Sequence, residues 1–356
     1  AAAGSLRTGL PQVVGPDLTQ NVFTLPAAVG TTSFPQNFDR GYIESWNATL
    51  QHDFGSGINV QAGYVGSRAI RQTVIQNINA AGPGGGNPGR ALSQFGRISD
   101  IKWFTPFNTA QYNGLLTNVS RRFGGSLLGL SYTFSRAIGY TDDTDGGLTW
   151  SWVPMLQRNK AVQGFDRTHN LQFYGNYDLP FGSGKKYATS GAISKVLGGW
   201  QANWILSRMS GTPFTVGTSG SSVNAPGNTQ TADQILPTVA ILGGHGVGQP
   251  YFDPNAFAPV TAVRFGNVGR NTLRGPGVFN LDASIFRNFR MTERFVLQFR
   301  AECFGVTNTP QFNNPGTTAS SLTRNADGSI KALNGFGEIT GATGERQFRL
   351  AAKISF

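Results

Sequence analysis

Nine segments of this chain change character at every second residue, and that period leaves few folds open. Leu128, Leu130, Tyr132 and Phe134 stand opposite Ser131, Thr133 and Ser135, the pattern of a β-strand with one apolar and one polar face. Trp46, Ala48, Leu50 and Phe54 alternate in the same way with Asn47, Thr49, Gln51 and Asp53, His52 being the exception. After Gly55–Gly57 the alternation resumes at Ile58, Val60, Ala62 and Tyr64, which reads as a hairpin. A weaker segment carries Leu115, Thr117, Val119 and Phe123 on one face with Arg121. Further segments follow at Leu171–Phe181, Trp200–Leu206, Phe279–Ile285, Phe295–Cys303 and Phe348–Phe356.

The connectors alternate too. Short links (55–57, 124–126, 182–196, 288–293) are interleaved with long ones (73–108, 138–165, 211–277, 306–345). Loops beyond about 15 residues are uncommon in compact soluble domains, whereas outer-membrane barrels have short periplasmic turns and long extracellular loops. The expected fold is therefore all-β: an antiparallel transmembrane β-barrel segment of about nine strands. Residues 41–356 form the C-terminal barrel segment, and residues 1–40 an extracellular loop or linker ahead of it. Trp46, Phe54, Tyr64, Tyr112, Phe123, Phe181, Trp200 and Phe356 cluster near strand ends, where membrane barrels place aromatic girdles. A secreted or surface β-sandwich adhesin, binding a polymer through loop aromatics, is the alternative that alternation leaves open. A passive pore of several copies joined edge to edge is a third.

Composition narrows the function. Charged residues make up 13% of the 356 residues, about half the usual share of a soluble domain, and no apolar run is long enough for a transmembrane helix. The start, AAAGSLRTGL, lacks the pattern of a signal peptide. The net charge of +11 gathers in turns (Arg121, Arg122, Lys185, Lys186, Arg287, Arg290, Arg294). It forms no helical stripe, so nucleic acid is not an expected partner. The lone Cys303 and the scattered His52, His169 and His245 give neither metal-ligand spacing nor a nucleophile with its base. Neither an enzyme nor a cofactor is expected. Asp142, Asp143 and Asp145 offer oxygen ligands without EF-hand spacing, which leaves calcium open.

Several stretches carry a family resemblance: YFDPNAFAP (Tyr251–Pro259), YDLPFGSGKK, LGGWQANWILSRMSGTPFTV, and the long run from Phe265 to Phe312 that begins FGNVGRNTLRGPG. Over about residues 34–356 the chain resembles the barrel of Oar-like TonB-dependent outer-membrane receptors. That resemblance implies a barrel of about 22 strands filled by a plug, and a TonB-type energy transducer reached through an N-terminal segment. Nothing here matches the plug or its coupling segment, so the chain reads as the C-terminal part of such a receptor. The plug and the remaining strands would come from outside it. Phe348, Leu350, Ala352, Ile354 and Phe356 resemble the terminal assembly signal read by the barrel-insertion machinery.

The resulting function is the wall, polar lumen and extracellular recognition loops of a receptor in the outer membrane of a Gram-negative-type bacterium, with membrane lipid around it. Lumen-lining candidates are Gln172, Asn176, Asp282, Ser284, Gln298, Arg300 and Glu302. The loop aromatics Trp103, Phe104, Phe107, Trp150 and Trp152 are candidates for ligand contact, and could equally pack the loops together.

Overall fold

The computed structural model describes residue 19, residues 25–143 and residues 145–356, so most of the stretch expected as a linker lies outside the described residues. Among the described residues nine long strands follow one another in an antiparallel meander: β1 (Tyr42–Gly55), β2 (Ile58–Asn77), β3 (Ile101–Phe123), β4 (Ser126–Gly139), β5 (His169–Asp178), β6 (Trp200–Met209), β7 (Val278–Arg290), β8 (Val296–Phe304) and β9 (Gln347–Ser355). The expected strand number and direction hold. Among the described residues, β1 and β9 are edges that do not pair with each other.

Alternation sorts the two faces across strands as well as along them. On one face Gln51, Gln61, Asn118, Ser131, Gln172, Ser207 and Asn280 are successive cross-strand neighbours on seven strands. On the other, Val60, Val119, Leu130, Phe173, Leu206 and Leu281 form a parallel row. A slip of one residue in any pairing would exchange the faces. The apolar face is uncovered: Leu50 is 82% exposed, Phe348 75% and Leu350 73%. A sandwich would bury those residues under a second sheet, and no described segment does so.

The short links hold the expected end of the sheet. At the β1–β2 turn a Cβ on Gly57 would collide with the Arg122 carbonyl of β3, and its φ of +73° is left-handed, so only glycine fits. The β5–β6 link is more than a turn, because it contains a short helix, α1 (Gly191–Leu197). Arg287 stands on the apolar face at this end, where a cation costs little compared with mid-membrane. It donates to the carbonyls of Lys195 (2.6 Å) and Val196 (2.7 Å) and caps the helix.

The other end differs from expectation in two ways. β2 and β3 run to 20 and 23 residues, about twice what crosses a bilayer. Trp103, Phe104 and Phe107, expected in a loop, therefore lie on the outer part of β3. Residues Thr31–Ser33 pair in parallel with its start. Tyr112, expected in a girdle, shares the polar face with Asn118, and Phe181 lies beyond the end of β5.

The long links pack as a body with its own interior. Phe214, Val216, Phe252, Phe257 and Val268 from the β6–β7 link meet Ala319, Phe336 and Ile339 from the β8–β9 link in one cluster. Trp150 joins Val223, Ala225 and Phe265 in another. The β2–β3 link is tied in where Asn228 donates to the Ala81 carbonyl (2.9 Å).

Candidate functional site

Side chains of β3 to β8 on the polar face line a cavity of about 760 Å³. Five expected residues meet there, Gln172, Asn176, Asp282, Ser284 and Glu302, together with Asn118, Ser131 and Asn203. Register explains the meeting: Asn176, Asn203, Ser284, Glu302 and Arg349 are consecutive cross-strand neighbours on β5 to β9. The amide and hydroxyl groups are partly committed to one another. Ser207 donates to Gln172 Oε1, Gln172 donates to Asn170 Oδ1 (2.9 Å), and Asn176 donates to the Gly125 carbonyl (2.9 Å). Asp282 accepts from the Gly305 N–H (2.8 Å), which fixes the exit of β8.

Gln298 and Arg300 share the polar face but lie outside this cavity, nearer the short links. Arg300 Nε donates to Gln298 Oε1 (2.6 Å), whose amide donates to Asn288 (2.9 Å).

Sequence reasoning missed an apolar island inside the polar face. Tyr174, Ile205 and Phe304 line the same cavity, and all three are exposed, at 39%, 55% and 42%. Tyr174 lies across Gly129 of β4, where a Cβ would come within 2.4 Å of the ring. The signal was parity: Tyr174 falls between Gln172 and Asn176, and Ile205 between Asn203 and Ser207. The cavity therefore offers neutral polar groups and carboxylates around an apolar floor, suited to holding or passing a polar solute or a packed protein segment. Among the described residues no three His, Cys, Asp or Glu side chains gather as a metal site.

The loop aromatics serve packing where the structure resolves their partners. Trp150 is fully buried, with the Arg158 guanidinium 4.5 Å from its ring, and presents no surface to a ligand. Trp152 packs on Phe265 (6.2 Å), Phe107 on Tyr140 (4.8 Å) and Phe104 on Phe34 (4.4 Å). Trp103 is half-buried.

The motifs YFDPNAFAP and VGRNTLRG are the fasteners of this loop body. Phe252 and Phe257 fill its core, and Asp253 caps the turn between them by accepting from Asn255 N–H (2.9 Å). Arg270 pairs with Asp142 (2.8 Å) and donates to the carbonyls of Asn159 (3.0 Å) and Gly139 (2.7 Å). Burial pushes its pKa down, and Asp142 pulls it back. Arg274 pairs with Asp166 (2.5 Å). Arg264 holds Asp233 through two hydrogen bonds (2.9 and 2.6 Å), which depress the carboxyl's pKa.

A solved outer membrane transporter shares this fold. The outer membrane transporter YddB from Escherichia coli matches with a TM-score of 0.50 and 8% identity over 94% of this chain and 35% of its own. The FrpB iron transporter from Neisseria meningitidis gives 0.42 and 11% over 91% and 32%. The ferric citrate transporter FecA gives 0.40 and 10% over 88% and 31%. This chain thus spans about a third of the length of those transporters. No match was found among curated protein sequences. The family model described as outer membrane beta barrel domain matches residues 1–349. Its match and the exposed apolar rows agree: the chain belongs to the outer membrane beta barrel domain family and resides in the outer membrane of a Gram-negative bacterium.

Proposed function

We propose that these residues form the C-terminal part of the barrel of an Oar-like TonB-dependent receptor, supplying wall, lumen lining and extracellular loop body for transport of a solute, without enzymatic activity. The observation that carries this reading is the polar, cavity-bearing face backed by lipid-facing rows on a sheet whose two edges are unpaired among the described residues. An open edge in hydrocarbon would leave each unpaired backbone group unsatisfied at several kcal/mol. Further strands from the rest of the receptor would satisfy both edges. The island of Tyr174, Ile205 and Phe304 then gives a plug an apolar seat within an otherwise polar lumen.

In this reading energy coupling reaches the chain only through the plug and its N-terminal segment. Phe348, Leu350, Ala352, Ile354 and Phe356 serve the insertion machinery as the assembly signal. The test is the intact mass of the native polypeptide from a solubilised outer-membrane fraction. A mass far above 38 kDa, with a plug sequence upstream, is the expected result; a native chain near 38 kDa would overturn the receptor reading.

A further inference from the structure

The lipid-facing side carries a furrow beside its smallest residues. On β6 to β9 the neighbours Ala202, Ile285, Ala301 and Leu350 form one row, and Trp204, Ala283, Cys303 and Phe348 the next. Alanine and cysteine between Trp204 and Phe348 leave a groove of about 430 Å³. Asn203 and Ser284 also touch it, and toward the long-loop end Val306 and Arg346 belong to its lining.

Arg346 is unusual in position and in company. It keeps the lipid-facing parity two residues beyond Phe348, is exposed, and lies 5.7 Å from that ring. Among the described residues its only polar side-chain contact is a long one to the Val306 carbonyl (3.5 Å), and it makes no ion pair. Two strands repeat the arrangement. Arg136 stands two residues beyond Phe134 on β4, and Arg208 two beyond Leu206 on β6; both are exposed and unpaired among the described residues.

We infer that the groove is a lipid site on the long-loop side, taking one saturated acyl chain along Ala202, Ala283, Ala301 and Cys303 and pairing the phosphate of that lipid's headgroup with Arg346. The surrounding solvent is hydrocarbon, so an acyl chain is what a furrow at this depth meets. An arginine at its rim, with donors free, matches a phosphate in charge and fork geometry. Arg208, about 13 Å up β6 from Trp204 at strand rise, extends the cationic rim toward a second phosphate. The site is independent of transport, but assigning it to the outer leaflet rests on the long loops being extracellular.

The experiment uses full-length protein purified from outer membranes in mild detergent. It is incubated with diphosphorylated lipid A or with the same lipid stripped of phosphate, and bound lipid is counted by native mass spectrometry. The wild type is expected to retain the phosphorylated lipid. Arg346→Gln should weaken that binding about tenfold while leaving the dephosphorylated lipid unaffected, and Ala301→Phe should reduce both by filling the groove. Equal wild-type retention of the two lipids would overturn the headgroup pairing, and unchanged retention by Ala301→Phe would overturn the groove. Arg346→Lys and Cys303→Phe repeat the test if either first variant loses its heat-modifiable migration on gels. Labelling of loop residues on intact cells reports orientation separately, so an inverted barrel and an absent site give different results.

Discussion

The nine-stranded wall and the body of long links use apolar residues in opposite directions. Wall strands point Leu50, Leu130, Phe348 and Leu350 away from the protein, at 36% exposure or more, whereas the links bury Trp150, Phe252, Phe257 and Phe336 almost completely. Lipid receives the first set, so the wall needs no interior. The links stand in water and must build one, then fasten it with Arg270–Asp142, Arg274–Asp166 and Arg264–Asp233. One chain thus contains two stability problems with different solvents.

If that separation is real, a core deletion in the links should leave the wall standing. Phe336 meets Phe252 edge-on at 5.3 Å and Phe257 at 6.3 Å. Phe336→Ala should cost about 3–5 kcal/mol of loop-body stability. Limited proteolysis of folded protein should show faster cutting within 210–277 and 305–346, with heat-modifiable migration of the wall unchanged. Loss of both together would mean that wall and loops unfold as one unit.

Adjacent positions on β4 sharpen the contrast within the wall. Leu130 lies in the apolar row and Ser131 in the polar one. Leu130→Arg should cost about 2–4 kcal/mol if it meets mid-membrane lipid, whereas Ser131→Arg faces the lumen and should cost little. Urea titration of protein folded into phospholipid vesicles measures both. Equal penalties would contradict the assignment of faces.

The wall was legible because membrane strands repeat a short rule, and parity put Gln172, Asn176, Asp282, Ser284 and Glu302 on one face with Gln298 and Arg300. The loop body was not, since its contacts join residues far apart in sequence, as between Arg270 and Asp142. Trp150 looked like a recognition residue because a loop aromatic carries no local sign of the core it enters. The outer part of β2 escaped for another reason. Register shifts between Ala69 and Val74, with Arg71 at a φ of +54°, break the period just where the strand continues. Tyr174 and Ile205 were visible in the pattern, but an apolar residue on a polar face reads as noise until its neighbours in space repeat it.

The smallest effect concerns the fasteners, which only the water-facing body should feel. Arg264 and the Asn267 N–H both donate to Asp233 and hold its carboxyl below the ordinary value. A depressed folded pKa means that the pairing stabilises fully above the unfolded pKa, roughly 3.9, and that the contribution fades as pH falls through the lower folded value. Arg264 is 53% exposed, so solvent screening keeps the gain small. Proteolysis within 210–277 should therefore accelerate slightly between pH 5 and pH 3, read with an acid-active protease. Asp233→Asn should be cut faster at pH 5 and show a flatter acid response, because its amide has no proton to gain. An equally steep response in that variant would show that the acid sensitivity does not come from Asp233. A parallel change in wall migration over the same range would instead show that the fasteners act on both halves of the molecule.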